Sequence, residues 1–216
     1  MEVLGMKEFI AQKTLKLRHK IVKTIASGVY AEHVCFAEML QDVGTIPRPM
    51  TVFNKDHFRG KPALICAEIG VAQGWNALNM LQELPIKQIF LIDPYTPYVE
   101  DGKESSRFSD CLATAKERLE LFPQATFIRK TSDDAVADID GLLDFVYIDG
   151  NHSYENVKSD INHYFPLVKP NGVIGGHDYV PYYFKGVIKA VNEFASQYGK
   201  QHLHISYPDW WIVKGG

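Results

Sequence analysis

The chain has 216 residues, 46% of them hydrophobic and 23% charged, with a formal net charge of -3. That length holds one well-buried domain and barely two, and the near-neutral balance gives no electrostatic reason for a nucleic-acid partner. No apolar run reaches the length of a membrane span, and the three widely spaced cysteines (Cys35, Cys66, Cys111) form neither a metal-ligand pattern nor a disulfide framework.

The N-terminal stretch has lysines among its apolar positions and no continuous signal-peptide core, so a cytoplasmic protein is expected. Residues 6–27 and 29–41 read as two helices punctuated by Gly28, and "GTIPRPM" (44–50) as a loop broken by two prolines. From Lys61 onward short apolar runs alternate with amphipathic segments. Strands are expected at 63–69, 88–93, 125–130, 143–149 and 172–178, with helices at 74–84, 105–122, 153–168 and 185–199. Ser153 is placed to cap its helix, with Glu155 in the first turn. The tail "HLHISYPDWWIVKG" reads as two strands joined by a turn at Pro208-Asp209.

Alternating apolar strands and helices imply an α/β fold: a Rossmann-like, doubly wound, mostly parallel seven-stranded sheet. A C-terminal antiparallel hairpin completes it, and an N-terminal helical extension precedes it. The division expected is residues 1–60 for the extension and 61–216 for the sheet domain.

Such sheets bind ligands beyond the carboxyl ends of their strands, where the connections switch direction. The first strand runs into "EIGVAQGWN", where Gly70 and Gly74 bracket a tight turn that brings backbone N–H groups near a ligand. Ala72 stands where the second glycine of a dinucleotide fingerprint belongs. The second strand ends in Asp93, spaced to accept hydrogen bonds from a ribose. Taken singly, the glycine turn also fits helix–strand packing and Asp93 a helix cap; together they favour an adenosine ligand. The fourth strand delivers Asp149, followed by His152, and the fifth delivers His177 and Asp178.

Through "EIGVAQGWN", "FLIDPY", "FVYIDGNHSYENVKSDI" and "PNGVIGGHDY", residues 61 to 214 resemble class I S-adenosylmethionine-dependent methyltransferases. The resemblance is to the branch with macrocin-type sugar and catechol-type O-methyltransferases. It implies that Glu68, Gly70 and Gly74 surround the methionine part of the cofactor and that Asn76 lies near its carboxylate. Asp93 would hold the ribose, while Pro94, Tyr95, Ser132 and Asp133 would flank the adenine. In metal-dependent members the positions of Asp149, His177 and Asp178 bind a divalent cation, magnesium or manganese, and that of His152 carries the base. A cation so held lowers the pKa of an acceptor hydroxyl, and a histidine takes its proton. The departure is His177, where catechol-type enzymes have an acid. Imidazole is a poor magnesium ligand, which leaves open a nitrogen-tolerant metal or a metal-free site. The alternative for His152 is hydrogen bonding within the 150–153 turn, and for Asp149 and Asp178 capping of their helices.

The expected activity is O-methylation of a small hydroxylated molecule or a sugar, with no nucleic-acid or membrane partner and a homodimer as the assembly to test. The aromatic segment 178–184 is a candidate acceptor wall or lid, and the N-terminal helices a candidate cap or dimer contact. A nicotinamide-dependent oxidoreductase and a non-catalytic binding module are the rival readings. The absent glycine fingerprint opposes the first, and the polar residues at three strand ends oppose the second.

Overall fold

The computed structural model describes residues 46–97, 99–100, 103–104, 110–180 and 183–215. The helices expected at 6–27 and 29–41, the start of the one expected at 105–122, and part of the aromatic segment lie outside these. The chain divides into two compact units, Met1–Ile46 and Pro47–Gly216, and the sheet belongs to the second.

Seven strands form it: β1 (Leu64–Ile69), β2 (Ile86–Ile92), β3 (Ala125–Ile128), β4 (Leu143–Ile148), β5 (Val168–Gly176), β6 (Leu203–Ser206) and β7 (Asp209–Val213). Their order is β3-β2-β1-β4-β5-β7-β6. The first five are parallel; β7 lies antiparallel beside β5, and β6 pairs antiparallel with β7 at the edge. This is the Rossmann-like sheet with a C-terminal hairpin that the alternation of elements predicts. Buried on both faces, the central strands carry apolar residues at successive positions and send alternate ones to opposite layers. Leu64, Cys66, Ile89, Leu91, Phe145 and Tyr147 fill one layer. Ala67, Ile69, Phe90, Ile92, Val146 and Ile148 fill the other.

Helix α1 (Pro49–His57), α2 (Trp75–Glu83) and α3 (Cys111–Arg118) contribute to the first layer. The short α4 (Ser132–Ala135), α5 (Tyr154–Tyr164) and α6 (Lys185–Tyr198) contribute to the second. α6 buries Val187, Ala190, Val191 and Ala195, one stripe at helical spacing. Ser153 caps α5 as expected, its hydroxyl accepting from the Asn156 N–H at 3.3 Å with Glu155 in the first turn. α5 ends at Tyr164, short of the expected 168, because Pro166 follows and β5 already begins at Val168.

The largest departure is α1. The loop expected at 44–50 ends early: from Pro49 the chain turns into a helix over 49–57, inside the sheet-bearing unit. Pro49 occupies the first helical position, where its missing N–H costs nothing. Met50 and Phe58 join the core beside Leu64, Phe145 and Trp211. Among the described residues no helix is long and apolar enough to cross a membrane.

Candidate active site

Because β1 is flanked by β2 on one side and β4 on the other, the connections reverse between β1 and β4. The strand ends there are laced together by backbone. The Gly70 N–H donates to the Ile92 carbonyl (2.9 Å), that of Asp149 to Ile69 (2.7 Å) and that of His177 to Ile148 (3.0 Å). Gly70 has φ +83°, and a Cβ there would collide with the Asp149 carbonyl. Glycine is therefore required by both conformation and space.

The β1–α2 turn is held from the neighbouring strand. One Asp93 oxygen accepts from the N–H groups of Val71 (3.0 Å) and Ala72 (2.9 Å), the other from Tyr95 (2.7 Å). Ala72 (φ 45°) and Tyr95 (φ 52°) both sit in the left-handed region. Each costs about 1–2 kcal/mol there, which the charge-assisted bonds to Asp93 offset. Ala72 thus takes a conformation that usually falls to glycine. A carboxylate has about four lone-pair sites, so Asp93 has room for roughly one ligand hydroxyl rather than two.

Behind the turn, Glu68 is 1% exposed and accepts from Asn76 Nδ2 at 2.9 Å. Its Oε2 and the Asn76 Oδ1 are buried acceptors without a partner. Burial pushes Glu68 up to about 8 against the lowering influence of Asn76 and Arg48. The folded chain therefore holds an extra proton from the ordinary 4.5 up to about 8, and stability falls as pH rises through that window. Glu68→Gln keeps the hydrogen bond without the titration. It is expected to flatten this part of the stability–pH curve, by an amount on the order of a few kcal/mol between about pH 5 and about pH 8. Urea unfolding at the two pH values, wild type against variant, checks it.

Across the crevice lie the two further strand ends. His152 Nε2 is 2.7 Å from Asp178 Oδ2, and His177 Nδ1 is 3.1 Å from Asp178 Oδ1 and 3.9 Å from Asp149 Oδ1. Phe184 packs on His152, ring centroids 4.5 Å apart. Burial opposes ionisation of Asp178, but hydrogen bonds from His152 and His177 hold it well below the usual carboxylate range. Burial raises Asp149 despite Arg48 and His177. Burial and the Arg48 charge depress His177, yet the facing Asp149 and Asp178 leave it above the ordinary histidine value. Asp149, His152 and Asp178 each place a ligand atom within 4.8 Å of the others, a set able to hold a metal ion.

The sequence expected His177 in that set and His152 outside it; in the structure both imidazoles adjoin Asp178. Pro94 is half-buried, and Tyr95 is buried with its backbone tied to Asp93. Ser132 and Asp133 open α4, but Asp133 is turned to α5, where it meets His163 (3.0 Å) and Ser159 (2.9 Å). The Ser132 hydroxyl bonds Asp160, whose burial pushes it up to about 7.

Sequence reasoning missed the residues that back Asp149. Arg48, just before α1, donates to Asp149 Oδ2 (2.5 Å) and to the Tyr147 hydroxyl (3.1 Å). Tyr147 donates to Asp209 Oδ1 (2.7 Å), and Asp209 Oδ2 accepts from the Met50 N–H in the first turn of α1 (2.9 Å). A polar residue within the apolar run of β4 or at the start of β7 was the available signal. Nothing local points to Arg48.

The deposit of similarity falls on the same strand ends: residues 67–179, more than half the chain, match the family model described as a methyltransferase domain. An uncharacterized protein of Acanthamoeba polyphaga mimivirus is 31% identical over 141 residues, 63% of this chain and 61% of the viral protein. The chain thus spans about three fifths of that relative's length. Among solved structures, the O-methyltransferase NovP superposes with a TM-score of 0.63 at 13% identity, covering 83% of this chain and 88% of NovP. The MycE methyltransferase of the mycinamycin biosynthetic pathway, in complex with Mg and SAH, gives 0.50 at 19% identity over 76% of this chain and 49% of its own. These likenesses concern the fold. The matched segment runs from β1 through Asp93, Asp149 and His152 to Asp178, and by it the chain belongs to the methyltransferase-domain family.

Proposed function

We propose that the protein is an S-adenosylmethionine-dependent O-methyltransferase acting on a small hydroxylated molecule or a sugar. The observation that carries this is the pairing, across the β1–β4 crevice, of a backbone turn lined by unpartnered buried acceptors with a carboxylate–imidazole pair. Family membership speaks against the nicotinamide reading.

The residues fit the cofactor. Asn76 Nδ2 is committed to Glu68, which leaves Asn76 Oδ1 as an acceptor and Glu68 as a carboxyl that a neighbouring ammonium would ionise, a pair suited to the methionine ammonium better than to its carboxylate. Asp93 receives one ribose hydroxyl while holding the turn. Pro94 and Tyr95 flank the adenine, with Ser132 and Asp133 offering backbone at the start of α4. The cofactor supplies an electrophilic methyl group on a sulfonium. His152 is placed to take the acceptor's hydroxyl proton, and Asp178 to stabilise the imidazolium that results. In-line positioning of the acceptor oxygen does much of the rest.

The donors also fit a divalent cation. Asp149 and Asp178 would hold it with His177, which leaves His152 as the base, or with His152, which then acts as ligand and not as base; either nitrogen suits manganese better than magnesium. Its chemistry would be to lower the acceptor hydroxyl's pKa. The segment preceding Pro47 is proposed as an acceptor cap or homodimer contact.

Calorimetric titration with S-adenosylhomocysteine, NAD as control, tests the cofactor assignment in chelator and in added manganese. Binding of S-adenosylhomocysteine alone is the expected result. Binding of NAD, or of neither, would overturn it.

A further inference from the structure

Arg48 is 6% exposed and lies within reach of a proposed cation ligand. Its guanidinium meets Asp149 Oδ2 at 2.5 Å and the Tyr147 hydroxyl at 3.1 Å, with its central carbon 5.5 Å from the Tyr147 ring centre. The backbone beside it is anchored by the same network. The Met50 N–H is bound by Asp209, which Tyr147 also engages. The guanidinium is thus built into the floor of the site and is no surface arginine folded inward by chance.

We infer that Arg48 is a resident counter-cation of Asp149 that sets how tightly the site takes a divalent metal ion. The inference rests on the cation reading proposed above. Two physical reasons support it. A charge-assisted hydrogen bond already engages Asp149 Oδ2, so a metal meets that carboxylate through the open Oδ1 or has to share Oδ2 with the guanidinium. The buried positive charge also offsets part of the negative charge that Asp149 and Asp178 present to a dication. The His177 imidazole, 3.9 Å from Asp149 Oδ1, adds no negative charge in compensation. A site so arranged holds Asp149 in place without metal and binds metal weakly.

The test is a Mn2+ titration of the chelator-treated full chain, followed by electron paramagnetic resonance, on wild type, Arg48→Met and Arg48→Lys. Affinity for S-adenosylhomocysteine is measured in parallel. The expected result is at least about a tenfold gain in Mn2+ affinity for Arg48→Met, with Arg48→Lys close to wild type because the charge is kept. Equal or weaker binding by Arg48→Met, alongside measurable wild-type binding, would overturn the role of Arg48 and leave the cation reading standing. Absence of Mn2+ binding in all three would overturn both, while retained S-adenosylhomocysteine binding would leave the methyltransferase reading intact. Arg48→Met strands a buried carboxylate and is prone to fold poorly. Its melting temperature with and without Mn2+ then reads the same quantity, since a ligand of the folded state stabilises by mass action. A rise larger than that of wild type supports the inference, and an equal or smaller one overturns it.

Discussion

Replacing His152 with alanine is expected to lower the rate of methyl transfer by about a hundredfold to ten-thousandfold, equivalent to roughly 3–5 kcal/mol of transition-state stabilisation. Affinity for S-adenosylhomocysteine should change by less than about twofold. The reason is geometric. His152 stands on the β4–α5 turn, with Asp178 2.7 Å from its Nε2 and Phe184 against its ring. The rate is read as S-adenosylhomocysteine release with a panel of phenols, catechols and sugars, affinity by calorimetry. The variant should also lose the rise of rate with pH that a general base imposes. Asp178→Asn should show a smaller loss of the same kind, because it keeps the side-chain shape but removes the charge that stabilises the imidazolium. A parallel fall in rate and cofactor affinity for His152→Ala would make the residue a part of the turn and not the base.

The second large effect concerns Asp93. Its carboxylate accepts from three backbone N–H groups, two in the β1–α2 turn and one at Tyr95. Removing it in Asp93→Ala leaves those donors stranded, each at about 1–3 kcal/mol when buried. It also removes the bonds to Asp93 that hold Ala72 and Tyr95 in left-handed conformations. We expect a loss of about 3–5 kcal/mol in urea unfolding and a fall of about a hundredfold or more in affinity for S-adenosylhomocysteine. Asp93→Asn discriminates further. It keeps one acceptor oxygen but turns an NH₂ group toward backbone donors on the other side, so it should also weaken binding while unfolding less readily than alanine. If the alanine variant loses stability but binds S-adenosylhomocysteine normally, Asp93 is a strut for the turn with no contact to the ribose.

The sheet was legible because its signals are local. "LDFVYID" is a mostly apolar run of strand length interrupted by Asp144; Ser153 and Glu155 mark a helix start, and Pro85 and Pro123 punctuate the segments. Each follows from the two-residue or 3.6-residue period of a single element. The alternation of those elements implied the parallel order, and the parallel order placed Asp93, Asp149 and His177-Asp178 at one edge. The loop expected at 44–50 overran the helix start at Pro49 for the same reason. "PMTVFNKDH" has a weak apolar stripe, and its leading proline looks like a breaker until the chain before it is seen to be extended.

The sequence by itself determined which residues stand at the strand ends, since burial period and chain direction leave little choice. Only the tertiary structure decided what those residues touch. Asp93 turns its oxygens to the backbone of the neighbouring turn, both histidines converge on Asp178, and Asp149 is met by an arginine 101 residues earlier in the chain. A buried charge is satisfied by whichever partner folding brings within about 3 Å, and sequence separation places no constraint on that partner. Periodicity therefore locates the carboxylate, and packing alone supplies its counter-ion.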